Sequence, residues 1–270
     1  MKISFFGLCR FSVLNTGGFK SGPKDDIDEK AYHLLSDRRL AERICWFEKI
    51  TIPSVKNQDN ERFKFLIITS DRTPSQITDR IKDAIAGVSN FYFKTVPPGK
   101  HAETCNQALY EYADEGSDVI AQFRLDDDDG VAKNYISRVH DDFRDAIKPI
   151  YNKYGMVSAD YAKGFILEAD STRASLYQTT IEHLTCAQTL YIKPGLKPGL
   201  FSWGHHKLFQ QMPTITFQNE NMFVRGKNRS NDCSYLMPKA DIRPWDLGAL
   251  KRRFNISIND LQSSLYKEGL

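Results

Sequence analysis

The chain has 270 residues, a mass of 31.0 kDa, 41% hydrophobic and 26% charged residues. That length suits one large α/β domain or two small ones, and the composition excludes a wholly disordered chain. A net charge of +3 and a pI near 8.5 are too mild for a nucleic-acid binder, although local positive charge can still hold a phosphorylated ligand.

No apolar run approaches the roughly 20 residues that span a bilayer, so no transmembrane segment is expected. The five cysteines, Cys9, Cys45, Cys105, Cys186 and Cys233, are scattered and include no C-x-x-C pair. That argues against a zinc ribbon or a disulfide framework. It points to a reducing cytosol, with peripheral association at the inner membrane as the furthest departure from it.

In chain order, Ile3–Leu8 is a short apolar strand, and Arg10 interrupts it too early for a signal peptide. The polar segment through Asp28 is expected to be a surface loop. Leu40, Ile44 and Phe47 recur at helical spacing and predict a helix from about Asp37 to Ile50, closed by Pro53. Phe63–Thr69 is a continuous apolar run of the kind found in parallel sheets. A turn follows at Ser70–Pro74, then a helix spaced by Ile77, Ile81 and Ile85 and ended by Gly87.

Phe91–Val96 predicts a strand and residues 102–115 a helix. Val119–Leu125 predicts a strand running directly into Asp126, and Ile136, Val139, Phe143 and Ile147 mark a helix up to Pro149. This alternation implies a mostly parallel sheet flanked by helices. Beyond residue 155 the predicted strands are short: Met156–Ala159, Gly164–Glu168 and Thr185–Ile192. Pro194, Gly195, Pro198, Gly204 and Pro213 mark a loop-rich stretch, and Leu247–Phe254 and Ile258–Leu265 read as terminal helices. We expect a single domain over 1–270, with a regular half (1–150) and an irregular half (151–270).

The strongest chemical signal is Phe123-Arg124-Leu125-Asp126-Asp127-Asp128-Asp129. Four adjacent carboxylates at the end of a buried strand demand a compensating cation or a polar ligand. In an extended segment Asp126 and Asp128 would share one side, and Asp127 and Asp129 the other. A pair of hard oxygens suits Mg²⁺ or Mn²⁺ completed by diphosphate and water. Ligands of open α/β sheets bind at the carboxyl ends of strands, where this cluster falls. A solvated acidic turn capping the next helix is the simpler alternative.

The strand followed by Arg-Leu-Asp-Asp-Asp-Asp resembles the metal-binding D-x-D signature of GT-A-fold glycosyltransferases. More narrowly, it resembles the bacterial "putative rhamnosyltransferase" family, in which such a run follows the fourth strand. Arg10-Phe11-Ser12 after the first strand, Ser70-Asp71-x-x-Pro74 after the second, and Gly226-Lys227-Asn228 agree with it. The resemblance covers roughly residues 3–235.

It implies a GT-A-like, Rossmann-like α/β fold with a nucleotide-sugar-binding half (1–150) and an acceptor half (151–270). It implies a nucleotide-sugar donor, an Mn²⁺ or Mg²⁺ cofactor, and transfer of a sugar, rhamnose by the family's name, to a glycan, lipid-linked or protein acceptor. Asp126 would contact the donor ribose or nucleotide. Asp128 would bind the metal with Asp129 beside it, and Asp127 or Asp129 would support that shell or orient the sugar. Asp71 would hold the nucleobase and Arg10 would lie near the nucleotide. A loop carboxylate such as Asp71 can accept the N–H groups of a base edge, and a plain turn residue before Thr73-Pro74 is the alternative.

Enzymes of this kind often take a further metal ligand from a late histidine. His205 and His206 are placed for that role, and in an extended segment only one of them would reach the ion. Arg225, Lys227 and Asn228 flank Gly226, which permits close backbone approach. The two cations could neutralise a diphosphate leaving group. Relatives often carry His-Gly-x-Asn there, so Arg225 in place of His favours phosphate binding.

An inverting transfer needs a base, and Asp160, just after a predicted strand, is favoured over Glu168, Asp170 and Glu182. Trp203, Trp245 and Tyr191 either stack on an acceptor sugar or pack in the core. Two rival readings are a metal-dependent nucleotidyl or phosphoryl transferase and a non-catalytic carbohydrate-binding module. The absence of a Gly-rich phosphate loop opposes the first, and the intact carboxylate run opposes the second.

Overall fold

The computed structural model describes residues 1–17, 26–114, 116–196, 199–231 and 243–270. In chain order its strands are β1 (Ile3–Phe11), β2 (Asn15–Thr16), β3 (Lys64–Ser70), β4 (Phe91–Val96), β5 (Gly99–Lys100), β6 (Val119–Asp126) and β7 (Gly130–Val131). They continue as β8 (Met156–Tyr161), β9 (Lys163–Ala169), β10 (Ala174–Thr180), β11 (Gln188–Ile192), β12 (Thr214–Phe217), β13 (Phe223–Lys227) and β14 (Arg243–Trp245).

Seven strands form the main sheet in the order β12-β8-β11-β6-β1-β3-β4. β11 is antiparallel to both neighbours, and the other pairings are parallel. The α/β sheet implied by the alternating first half is therefore present. Its central strands are buried on both faces, which is why they read as continuous apolar runs. Phe5, Cys9, Phe65, Ile67, Phe123 and Leu125 pack into one core, whereas Phe6, Leu8, Leu66, Ile68 and Ile120 pack into a second. Strand alternation assigns each set to its own side of the sheet.

The helices differ from expectation where prolines lie. The Asp37–Trp46 helix does not stop before Pro53. It passes through a wide π turn, Phe47–Thr51, into Ile52–Lys56, with Pro53 in the first turn of the resumed helix. Proline is tolerated there because first-turn N–H groups have no intrahelical partner. Pro149 behaves the same way: Tyr135–Asp142 continues through Phe143–Ile147 into Lys148–Tyr154, which ends at left-handed Gly155. The expected loop through Asp28 turns helical at Ile27–Leu34, where the Asp26 carboxylate accepts the N–H groups of Asp28 and Glu29. The helix predicted for 102–115 runs from His101 to Tyr110.

A five-stranded sheet, β14-β10-β9-β13-β7, stands beside the main one, and β2 pairs with β5. Strands β10, β12 and β13 were not expected. β8, β11 and β12 all belong to the main sheet, so residue 150 marks no edge of it. Cys9, Cys45, Cys105 and Cys186 are buried free thiols. Cys233, Pro198 and Gly18 lie outside the described residues. Among the described residues no helix is long and apolar enough to cross a membrane.

Candidate functional site

The site begins with strand register. β1 and β6 run parallel with Arg10 opposite Asp126, and Arg10 Nη2 donates to Asp126 Oδ1 at 2.5 Å. Burial works against the charge on Asp126, but Arg10 and Arg124 outweigh it and hold this carboxyl well below the usual carboxylate range. After Asp126 the strand ends in a tight turn closed by Asp129 N–H donating to Asp126 O at 3.1 Å. The expected alternation of the four aspartates is therefore overturned, because two-sided alternation requires an extended backbone.

Asp127 and Asp128 instead meet the same guanidinium. Arg43, on the Asp37–Trp46 helix, has a side chain only 4% exposed. It donates through Nε to Asp127 Oδ2 (3.1 Å) and through Nη2 to Asp127 Oδ1. It also reaches Asp128, Nη1 to Oδ2 (2.8 Å) and Nη2 to Oδ1 (3.1 Å). The compensating cation that the acidic run demanded is thus partly supplied by the protein itself. Arg43 was missed in the sequence, yet it left a signal: it is a charge on the predicted apolar face, three residues after Leu40 and four before Phe47.

Asn228 Nδ2 and Asn231 Nδ2 also donate to Asp128 Oδ2, at 2.9 and 2.7 Å. Their amide oxygens accept backbone N–H groups of Ser230 and Asn228, which fixes the NH₂ groups toward the carboxylate. Asp129 turns inward, accepting from Cys186 Sγ at 2.8 Å and Gly226 N at 3.0 Å. Burial and the neighbouring Asp128 push its carboxyl up to about 7. Asp129, expected to sit beside the metal, thus bridges the acidic turn and β13, with both carboxylate oxygens engaged by protein donors.

A cavity of ≈ 480 Å³ opens over the turn, lined by Arg10, Arg39, Arg43, Arg124 and Arg225 together with Asp126 and Asp128. His101, Phe201, Trp203, His205 and His206 complete much of its wall. His101 Nε2 lies 3.1 Å from Arg10 Nη1, and burial followed by the arginine charges lowers its pKa to about 3. The ring is therefore neutral, and its Nε2 accepts a hydrogen bond from Arg10 Nη1. Burial and then Arg10 pull Arg124 down to about 10, and its Nη2 donates to Thr185 Oγ1.

His205 and His206 sit in a 3₁₀ turn, His205–Gln210, so the extended geometry expected for them is absent. His205 Nδ1 lies 2.6 Å from the His183 carbonyl, to which it must donate, and burial lowers its pKa to about 4. Its Nε2 then carries the lone pair.

Other expected residues lie elsewhere. Asp160 is fully buried on β8, with Oδ2 accepting from His183 N at 2.8 Å. A carboxylate closed off from solvent cannot reach an acceptor hydroxyl, so its placement argues against the base role. Asp71 is an exposed turn residue whose N–H bonds to Val96 O, and it does not line the cavity. Lys227 pairs with Glu168 in a separate surface depression. Tyr191 is buried, its hydroxyl donating to Val139 O, whereas Trp245 is 43% exposed.

Among the described residues no three His, Cys, Asp or Glu side chains form a metal cage. Two carboxylates nevertheless keep oxygen capacity toward the cavity. Asp126 uses one oxygen for Arg10 and its side chain is 24% exposed, and Asp128 Oδ1 accepts a single hydrogen bond. One or two carboxylates completed by phosphate oxygens and water suffice for Mg²⁺ or Mn²⁺. The residues fit a cation shared with a diphosphate, not one enclosed by protein alone.

A mostly parallel α/β sheet with an arginine- and aspartate-lined cavity at its strand ends defines the class structurally. A family model described as "Putative rhamnosyl transferase" matches residues 4–240, and the chain belongs to that glycosyltransferase family. No curated protein matches it.

Among solved structures, TarS 1-349 of S. aureus in complex with UDP is 11% identical, with 84% of this chain and 61% of that one covered and a TM-score of 0.40. The mannosyltransferase PcManGT from Pyrobaculum calidifontis, in complex with GDP-Man and Mn²⁺, is 9% identical over 83% and 56% of the chains, at 0.41. A "putative nucleotide-diphospho-sugar transferase" from Desulfovibrio desulfuricans G20 is 8% identical over 98% of each, at 0.36. The chain spans about 60% of the TarS 1-349 structure it matches.

Proposed function

We propose that this protein transfers a sugar, rhamnose by its family's name, from a nucleoside-diphosphate donor to a glycan, lipid-linked or protein acceptor. The observation that carries the reading is the cavity at the carboxyl ends of β1 and β6, where guanidinium groups surround the partly exposed carboxylate of Asp126 and the buried one of Asp128. In this reading the donor diphosphate lies among Arg10, Arg124 and Arg225, and Asp126 faces the nucleotide. Asp127 and Asn228 act indirectly, Asp127 by anchoring Arg43 and Asn228 by fixing Asp128.

Mn²⁺ or Mg²⁺, held by Asp126 and Asp128, would neutralise charge on the diphosphate as its bond to the sugar breaks. The fixed guanidinium groups stabilise the same developing charge without reorganising. His205 and His206 form part of the cavity wall. A cytosolic site of action accords with this donor.

The test is a thermal-shift panel of UDP, GDP, dTDP, ADP and CDP with and without Mn²⁺. One nucleotide should raise the melting midpoint of the wild type by mass action. Asp126→Asn should lose most of that rise, read against its own ligand-free midpoint, which falls because buried Arg10 loses its carboxylate partner. A rise unchanged in Asp126→Asn would remove Asp126 from the donor site, and no rise with any nucleotide would defeat the donor reading.

A further inference from the structure

Arg124 lies on β6 two residues before Asp126, so the two side chains leave the strand on the same face. Its electrostatic situation differs from that of its neighbours. Arg10 is paired with Asp126, and Arg43 with Asp127 and Asp128. The hydrogen bond of Arg124 is to a neutral hydroxyl, Thr185 Oγ1 at 2.8 Å, and its Nε is buried without an acceptor.

Its guanidinium carbon lies 5.7 Å from the centre of the Phe201 ring, and that of Arg10 lies 5.6 Å from the same centre. Two guanidinium groups thus share one aromatic ring at the wall of a cavity. Two partly desolvated like charges with one carboxylate between them are costly unless an anion joins them. A phosphate group, with several acceptor oxygens, meets both forks at once.

We propose that Arg124 and Arg10 form a phosphate-binding pair in this cavity, with Arg124 the cation whose charge is matched only when a phosphorylated ligand is bound. The pairing stands on geometry. It rests on the donor reading only for the source of the phosphate, either the diphosphate of a nucleotide donor or a phosphate carried by the acceptor.

The test is calorimetric titration of wild type, Arg124→Lys and Arg124→Met with inorganic pyrophosphate, with the five nucleoside diphosphates and with the parent nucleosides. Far-ultraviolet circular dichroism checks that each variant is folded, and Arg124→Lys keeps the charge if Arg124→Met does not fold. Pyrophosphate should bind the wild type, weaken about tenfold or more in Arg124→Met and weaken less in Arg124→Lys.

If one nucleoside diphosphate weakens in parallel and its nucleoside does not, the phosphate comes from the donor. If pyrophosphate weakens while no nucleoside diphosphate binds the wild type, the phosphate pair stands and the donor reading falls. Equal pyrophosphate affinity in wild type and variants, or none in the wild type, overturns the proposal.

Discussion

Asp160, the candidate base of the sequence reading, is a buried titratable group. Its carboxylate is closed off on β8, and burial raises its pKa from 3.8 to about 6. A raised folded-state pKa means that the native chain holds the proton more tightly than the unfolded one. The resulting stabilisation is present below about pH 4 and is lost as pH rises through about 6. Asp160→Asn has no such titration. Wild type should lose roughly 3 kcal/mol relative to that variant between about pH 4 and pH 7, the equivalent of some two pKa units. Urea unfolding of both across that range checks it, and parallel curves would show that Asp160 titrates normally.

A buried cation such as Arg43 that holds two carboxylates is expensive to break, on the order of 3–5 kcal/mol when one partner is removed. Its value here is geometric, because it fixes Asp127 and Asp128 on one side of the turn and leaves Asp126 to face the cavity.

At the scale of elements, the site is a meeting of three segments. The Asp37–Thr51 helical stretch supplies Arg43, and Thr51 Oγ1 accepts a place under the turn by donating to Asp129 O at 2.9 Å. Glu42, beside Arg43, accepts from Ser230 Oγ and so ties the same helix to the loop after β13. β13 must approach the acidic turn closely, and Gly226 allows it: a Cβ there would lie 2.3 Å from Asp128 O and 3.0 Å from Asp128 Cβ. Gly226→Ala is therefore expected to cost about 1–3 kcal/mol through overpacking. It should also weaken pyrophosphate binding by shifting Asp128 and Arg225. Thermal unfolding and calorimetry report both effects, and a variant as stable as wild type would mean the strand can move away freely. The π turn at Phe47–Thr51 lies where such irregularities are frequent, next to a functional region.

At the scale of the whole molecule, a net charge of +3 says little, because the charge that matters is concentrated. The cavity gathers arginines from β1, β6, β13 and the second helix at the carboxyl ends of β1 and β6. Binding of pyrophosphate should therefore be salt-sensitive. Raising NaCl from about 0.1 M to about 1 M shortens the Debye length from ~10 Å to ~3 Å and is expected to weaken it about tenfold or more. An affinity indifferent to salt would mean that the guanidinium groups contribute little of the attraction.

Local pattern was enough for the alternating half of the fold and for the acidic run itself. Apolar periodicity and strand-length runs are properties of neighbouring residues, so β1, β3, β4 and β6 were legible, as were the helices between them except Ile27–Leu34. The same local reading placed Arg10 and Asp126 at strand ends and marked Gly226. It could not show that the aspartates leave the strand in a turn, that Arg43 lies under them, or that Arg124 lacks a carboxylate. It also could not show that Asp160 is closed off from the cavity. Most of those facts depend on contacts between residues distant in the chain, such as Arg43 with Asp127 and Asn228 with Asp128. The sequence by itself determined which charges the protein owns and on which elements they ride. Only the tertiary structure decided which charges neutralise one another and which are left facing a ligand, because pairing is set by distance and burial.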